Sequence, residues 1–180
     1  MVYIALLRGI NLAGRNQVAM VQLGRMFQRL GFSDARTMLQ SGNVVFSASG
    51  KTAPQLEALL ESETQKRFKL VVKCFVRTAK HLKAVIRSNP FGREAREAPS
   101  YLHVFFFKAT PSPQDIEQLR KAIPGRETIN VDGKTAYVMY PEGMGRSKLG
   151  SSVIERHLKT SATARNWNTI TKLVGIAEQM

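Results

Sequence analysis

Residues 36–47 read Arg36-Thr37-Met38-Leu39-Gln40-Ser41-Gly42-Asn43-Val44-Val45-Phe46-Ser47. Two runs, 36–40 and 43–47, flank Ser41-Gly42, and a two-residue Ser-Gly connection between extended runs signals a β-hairpin because glycine accepts the positive φ such turns need. The flanks settle the unit around it. Upstream, residues 2–7 are β-branched and aliphatic and read as a buried strand, followed by a glycine-bearing loop over 8–17. Met20, Leu23, Met26, Phe27 and Leu30 then recur at helical spacing, with Gly31 as the stop. Downstream, Leu56, Leu59, Leu60 and Phe68 mark a second helix after Pro54, and residues 70–76 a further strand. The order βαββαβ is that of a ferredoxin-like unit.

Residues 78–88 read as a short helix with Leu82, Val85 and Ile86 inward and Lys80, Lys83 and Arg87 outward. Residues 89–100, with Pro90, Gly92 and Pro99, read as a linker. A strand over 101–108, a helix over 113–122, a hairpin of 127–131 with 135–140 across Asp132-Gly133 and a helix over 151–158 repeat the first pattern. Placing Ser41-Gly42 over Asp132-Gly133 sets Thr37 over Thr128 and Phe46 over Tyr137. The expected fold is α+β: tandem ferredoxin-like βαββαβ units with an additional C-terminal helix, divided into a first half 1–88, a linker 89–100 and a second half 101–180. In this register the first unit carries extra residues between its first strand and first helix, the 8–17 loop. Loops enlarged on a repeated scaffold tend to carry function.

The chain has 180 residues, of which 43% are hydrophobic and 22% charged. That apolar content excludes a disordered polycation, and a chain of this length buries roughly 70% of its unfolded surface without a metal or disulfide to hold it. The single cysteine, Cys74, excludes an intramolecular disulfide, reads as inert packing in a strand and fits a reducing compartment. Residues 2–7 are too few to span a bilayer and lack a basic leader, so the expectation is a cytoplasmic protein with no membrane partner. His81, His103 and His157 stand at no ligand spacing; no metal site and no cofactor is expected.

Against 13 acidic residues stand 27 Lys and Arg, a net charge of +14. Residues 1–90 hold 14 basic and 4 acidic side chains, a net of +10, and no acid falls between Thr64 and Arg93. Lys66, Lys73, Lys80, Lys83 and Arg87 lie in that stretch and are the expected nucleic-acid contacts if the partner is a polyanion. Four shorter segments could carry a discrete anion site. In the first, Gly9-x4-Gly14 has the spacing of a phosphate-binding P-loop, but Arg15-Asn16 stands where Lys and then Ser or Thr would be required, so nucleotide hydrolysis is not expected. The loop still offers Arg8, Asn11, Arg15 and Asn16 to an anion; the plainer reading is a sharp turn. The second is the hairpin tip with Ser41 and Asn43, which turn geometry alone would explain. In the third, Gly143-Met144-Gly145-Arg146-Ser147-Lys148, the cations Arg146 and Lys148 border a helix start. The fourth, 163–169, precedes the last helix, whose Trp167, Ile170, Leu173, Val174 and Ala177 form an apolar stripe while Arg165, Asn168 and Lys172 align on the other side. No catalytic motif is recognisable in any of them.

Taken as a set, Ala5-Leu6-Leu7-Arg8-Gly9-Ile10-Asn11, Met20, Gln40-Ser41-Gly42-Asn43-Val44-Val45-Phe46, Asn89-Pro90-Phe91, Ser147-Lys148-Leu149 and the 163–169 stretch followed by Lys172-Leu173 resemble the bacterial family known as domain of unknown function 1697. The resemblance implies a cytosolic bacterial protein of two ferredoxin-like halves and brings no activity and no catalytic residue with it. The expected function is binding of an anionic, phosphate-bearing ligand, with nucleic acid as one form of it. The alternative is an enzyme acting on a phosphorylated or anionic small molecule, its pocket formed by the 8–16 loop, the 41–43 hairpin and the 165–169 helix start. Oligomeric state is not legible.

Overall fold

The computed structural model describes residues 1–11, 14 and 16–180. The chain forms two compact units, residues 1–84 with 172–180, and residues 85–171. Both are α+β, each built on a four-stranded antiparallel sheet.

The first unit runs β1 (Val2–Leu7), α1 (Met20–Arg29), β2 (Arg36–Met38), β3 (Asn43–Ser47), α2 (Ala53–Phe68), β4 (Cys74–Thr78), and continues into α3 (Ala79–Arg87). Its sheet has the order β2-β3-β1-β4. Strand alternation sends Tyr3, Ala5 and Leu7 to one face, where they meet Leu23, Met26 and Phe27 of α1, Phe46 of β3, and Leu56 and Leu60 of α2. Phe46 lies 5.1 Å from Phe27 and 4.8 Å from Phe32, ring centre to ring centre. Each fully buried side chain of this size contributes about 1.5–3 kcal/mol of transfer free energy. The first turn of α2 is closed by a capping box between Thr52 and Gln55 with Pro54 inside it.

The hairpin of the first unit departs from its expected geometry. The last paired residues are Met38 and Asn43, so four residues, 39–42, make the connection. Leu39 and Gly42 both take positive φ, 58° and 70°. At Gly42 this is coupled to close approach: its carbonyl accepts from the Leu7 N–H at 2.9 Å, and a Cβ there would stand 3.0 Å from the Leu7 Cβ.

The second unit contains α4 (Gly92–Glu97), β5 (Leu102–Phe107), α5 (Pro113–Lys121), β6 (Thr128–Asp132), β7 (Thr135–Met139), α6 (Ser151–Leu158), β8 (Ala162–Asn166) and the start of α7 (Trp167–Glu178). The sheet order is β6-β7-β5-β8. Its core gathers Phe105 and Phe107 with Leu119, Ile129, Val138, Tyr140 and Ile154. The 89–100 segment, read as a linker, contains α4 and a 3-10 turn over Pro99–Tyr101. The stretch 163–169, read as the entry to the last helix, is strand β8 up to Asn166 and helix only from Trp167; β8 pairs to β5 from His103 with Asn166 to Phe107 with Ala162.

The repeat is confirmed in strand order but not in the expected register. Leu6 pairs with Asn43, and Phe106 with Thr135. Superposing β1 on β5 therefore sets Asn43 over Thr135 and Phe46 over Val138, one residue from the alignment on Ser41-Gly42. The slip matters because strand faces alternate: Phe46 and Val138 both enter a core, whereas Tyr137 takes the other face and donates its hydroxyl to the Val85 carbonyl at 2.8 Å. Both units also protect the same sheet edge. In the first, Glu57 and Glu61 of α2 accept from the Val76 and Cys74 N–H groups of β4, each at 2.8 Å; in the second, Glu155 accepts from the Ala162 N–H of β8 at 2.7 Å. Among the described residues no helix is long and apolar enough to cross a membrane.

Candidate functional site

The 8–16 loop and the hairpin tip do meet, within the first unit. The Asn11 amide holds the junction: Nδ2 donates to the Val18 carbonyl at 2.9 Å and the Gln40 carbonyl at 2.8 Å, and Oδ1 accepts from the Val18 N–H at 2.7 Å. Asn16 Nδ2 donates to the Gly9 carbonyl at 3.0 Å. Asn43 is fully buried and its Nδ2 donates to Met38 O at 3.1 Å and Ser41 Oγ at 2.9 Å. These amides secure backbone. Asn11 and Asn16 also adopt left-handed φ, 56° and 50°, which asparagine tolerates better than most residues. Arg8 is half-buried, its N–H bonded to the Lys73 carbonyl at 2.8 Å. Arg15 lies outside the described residues. The helix after this loop begins at Met20, well past Gly14, so the Gly9-x4-Gly14 spacing does not open a helix as a phosphate loop would.

A second concentration of charge in the same unit was not legible as a site in the sequence. Gln22, Arg25 and Arg29 of α1 and Arg67 of α2 line a groove of about 380 Å³ floored by Met26 and Phe68. Arg25 and Arg29 sit one turn apart on a helix with no acidic residue, and neither makes an ion pair among the described residues. Glu63 faces Arg67 at 3.0 Å and Lys66 at 3.5 Å. Of the sequence-predicted cations, Lys66 stands in the last turn of α2, beside Arg67; Lys73 is an exposed residue just before β4. Lys80, Lys83 and Arg87 are exposed along α3, with Lys83 paired to Glu178 at 2.9 Å.

In the second unit Arg146 and Lys148 come together with Arg126 and Glu127 around a cleft of about 230 Å³. Sequence reading missed the last two, which precede β6 by one or two residues and carry no motif. Ser147 Oγ donates to Glu127 Oε1 and accepts from the Leu149 N–H at 2.9 Å. Glu127 Oε2 is buried with no hydrogen-bond partner among the described residues. The Tyr140 hydroxyl donates to the Leu149 carbonyl at 2.9 Å; burial, and secondarily the Glu127 charge, push its ionisation well above the ordinary phenol range, so it stays protonated.

Arg165 is on β8, not on the last helix, so it does not share a helical face with Asn168 and Lys172. It is buried, and its Nη1 donates to Thr163 Oγ1 and the Ala164 carbonyl, both at 2.8 Å. Its counterpart in the repeat is Arg77: Ile4 pairs with Arg77 as Val104 pairs with Arg165. Asn168 is exposed at the start of α7. The apolar stripe of α7 is buried throughout, including Trp167. No group of three or more His, Cys, Asp or Glu able to hold a metal occurs among the described residues.

A family model described as protein of unknown function, DUF1697, matches residues 1–137. The chain belongs to the DUF1697 family. The conserved bacterial protein SP0830 from Streptococcus pneumoniae, a solved structure, shares 19% identity over 98% of both chains at a TM-score of 0.75. Likeness at that identity speaks for the fold. A search of curated proteins finds no match. In this DUF1697 chain the matched stretch includes the loop junction, the α1/α2 groove, Arg126 and Glu127; Arg146, Lys148, Arg165 and Asn168 follow it.

Proposed function

We propose that this DUF1697 protein is a cytosolic binding protein for a phosphate-bearing polyanion, nucleic acid above all, and that the α1/α2 groove is where it binds. We also read its halves, 1–88 and 101–180, as tandem ferredoxin-like units, a reading supported by the shared βαββαβ order and the matching strand orders. The observation that carries the functional reading is the grouping of Arg25, Arg29 and Arg67 around one groove with Gln22 as a neutral donor. Guanidinium groups offer fixed, forked donors to phosphate oxygens, and the half-buried Phe68 ring, with Met26 packed in the core beneath, gives a sugar or base an apolar contact. Lys66 extends the positive field from the same helix turn, and the exposed Lys73, Lys80, Lys83 and Arg87 add long-range attraction. The aromatic platform expected of a sequence-reading RNA module is not part of the reading; backbone recognition is.

Fluorescence anisotropy with RNA and DNA oligonucleotides at several salt concentrations tests it. Each phosphate neutralised contributes about 0.7–0.9 to the slope of log affinity against log salt. Arg25→Glu with Arg29→Glu is expected to cut that slope by about 2. Equal slopes for the wild type and the double variant would remove the groove from the account.

The alternative, an enzyme acting on an anionic small molecule near Arg8, is supported by the junction of the 8–16 loop with the hairpin tip. Asn11 and Asn16 hold backbone and Asn43 holds both backbone and the Ser41 hydroxyl, so that reading takes Arg8 as the ligand contact and the asparagines with Ser41 as positioning residues. Loss of small-phosphate binding in Arg8→Ala, with oligonucleotide binding intact, would favour it.

A further inference from the structure

The cleft of the second unit sets three cations beside an acid, and the acid is a feature that a polyanion groove does not need. Arg126, Arg146 and Lys148 line it without ion pairs among the described residues, Glu142 lines it as well, and Glu127 has a buried, unpartnered Oε2 beside them. An unsatisfied buried carboxylate oxygen is costly and invites a donor. Ser147 already holds the other oxygen, so the carboxylate is oriented. Gly125 fits against that carboxylate: a Cβ there would collide with Glu127 Oε2. Tyr140 spends its proton on the Leu149 carbonyl and serves as wall.

We propose that this cleft binds a small phosphate monoester that carries a hydroxyl. The phosphate meets Arg126, Arg146 and Lys148, and the hydroxyl donates to Glu127 Oε2, which is packed against Gly125 in the free protein and becomes reachable when the carboxylate turns toward the cleft. The three cations outnumber Glu127 and Glu142, which disfavours an ammonium donor and leaves a hydroxyl unaffected. The volume, about 230 Å³, corresponds to roughly eight waters at their liquid share of space. That suits a three-carbon phosphate ester. This site is independent of the α1/α2 groove.

Isothermal titration of the full chain with glycerol 3-phosphate and with inorganic phosphate tests the proposal. The wild type is expected to favour the ester by at least tenfold. Arg146→Ala with Lys148→Ala should weaken both ligands at least tenfold. Gly125 does not take a positive φ, so Gly125→Ala is tolerated by the backbone and only displaces the Glu127 carboxylate. That variant should bind inorganic phosphate as the wild type does and lose the preference for the ester. Arg25→Glu with Arg29→Glu should bind the ester unchanged, which separates this site from the polyanion reading. No heat with either ligand, equal affinity for the two in the wild type, or an unchanged preference in Gly125→Ala with its fold verified by circular dichroism would overturn the proposal.

Discussion

Replacing Asn11 by Ala should be among the most damaging single changes outside the cores, and its cost can be worked from three distances. The amide donates at 2.9 and 2.8 Å and accepts at 2.7 Å, each bond joining the loop to a backbone group. At about 1 kcal/mol net for each bond, the loss is about 3 kcal/mol. Alanine would also have to keep the φ of 56°, which adds about 1 kcal/mol because its Cβ crowds the carbonyl in the left-handed region. The sum is about 4 kcal/mol, and for a chain of this size each kcal/mol lowers Tm by about 2–4 °C. Thermal unfolding followed by circular dichroism should then fall by about 8–16 °C. Asn11→Gly loses the same bonds without the φ strain and should sit about 1 kcal/mol above Asn11→Ala. Asn11→Asp keeps the acceptor for the Val18 N–H but turns a carboxylate oxygen on the Val18 and Gln40 carbonyls, so it should recover little over Asn11→Ala. A drop under 3 °C in Asn11→Ala, or an aspartate variant as stable as the wild type, would refute the view that this side chain staples loop to hairpin.

Three further outcomes follow from the same geometry. Glu57 and Arg77 form an ion pair at 3.2 Å with side chains only 12% and 13% exposed, so Glu57→Ala should cost about 3–5 kcal/mol in chemical denaturation by leaving a guanidinium buried without its acid. Removing Glu63, which faces Lys66 and Arg67 at a more open surface, should cost under about 1 kcal/mol and should raise oligonucleotide affinity a few-fold, with the salt slope increasing by up to about 1, because Arg67 is released to the groove. His103 has its ionisation pushed below the ordinary 6.5 by burial, against a smaller opposing effect of the Tyr101 backbone. The unfolded chain therefore takes up a proton first as pH falls. Its contribution to stability is complete above pH 6.5 and declines as pH drops from there toward the lowered folded value; His103→Phe, which preserves ring contact with Tyr140, should flatten that part of a stability–pH curve.

Most of the element order was legible because it follows from local pattern. The stripes of α1 and α2, the outward Lys80, Lys83 and Arg87 of α3 and the helix over 151–158 are where periodicity places them. The departures have tertiary causes. Leu39 takes a left-handed φ that no residue preference announces, which lengthens the first hairpin from two to four residues and shifts the repeat by one. Residues 162–166, Ala-Thr-Ala-Arg-Asn, lack the β-branched run that marks a strand and become one by pairing with β5. In the 89–100 segment, helix α4 forms between the prolines with an Arg93–Glu97 pair at 2.8 Å across one turn.

The candidate sites divide in the same way. The loop and hairpin could be matched by their glycines and asparagines, but which of those amides hold backbone depended on coordinates. The groove needed α2 folded against α1 before Arg67 could join Arg25 and Arg29. Its one advance sign was the pair of arginines a turn apart on a helix without acids. Glu127 gave no sign at all, since its unusual feature is an oxygen buried without a partner.

The central claim is that α1 and the last turn of α2 form a polyanion site. Its most direct test is a titration of the isotopically labelled chain with a short RNA, followed by backbone amide NMR. The account predicts that shift changes concentrate on Gln22, Arg25, Met26 and Arg29 and on 66–68, and fade as salt is raised. Changes confined to 80–87, or none at the lowest salt, would contradict it.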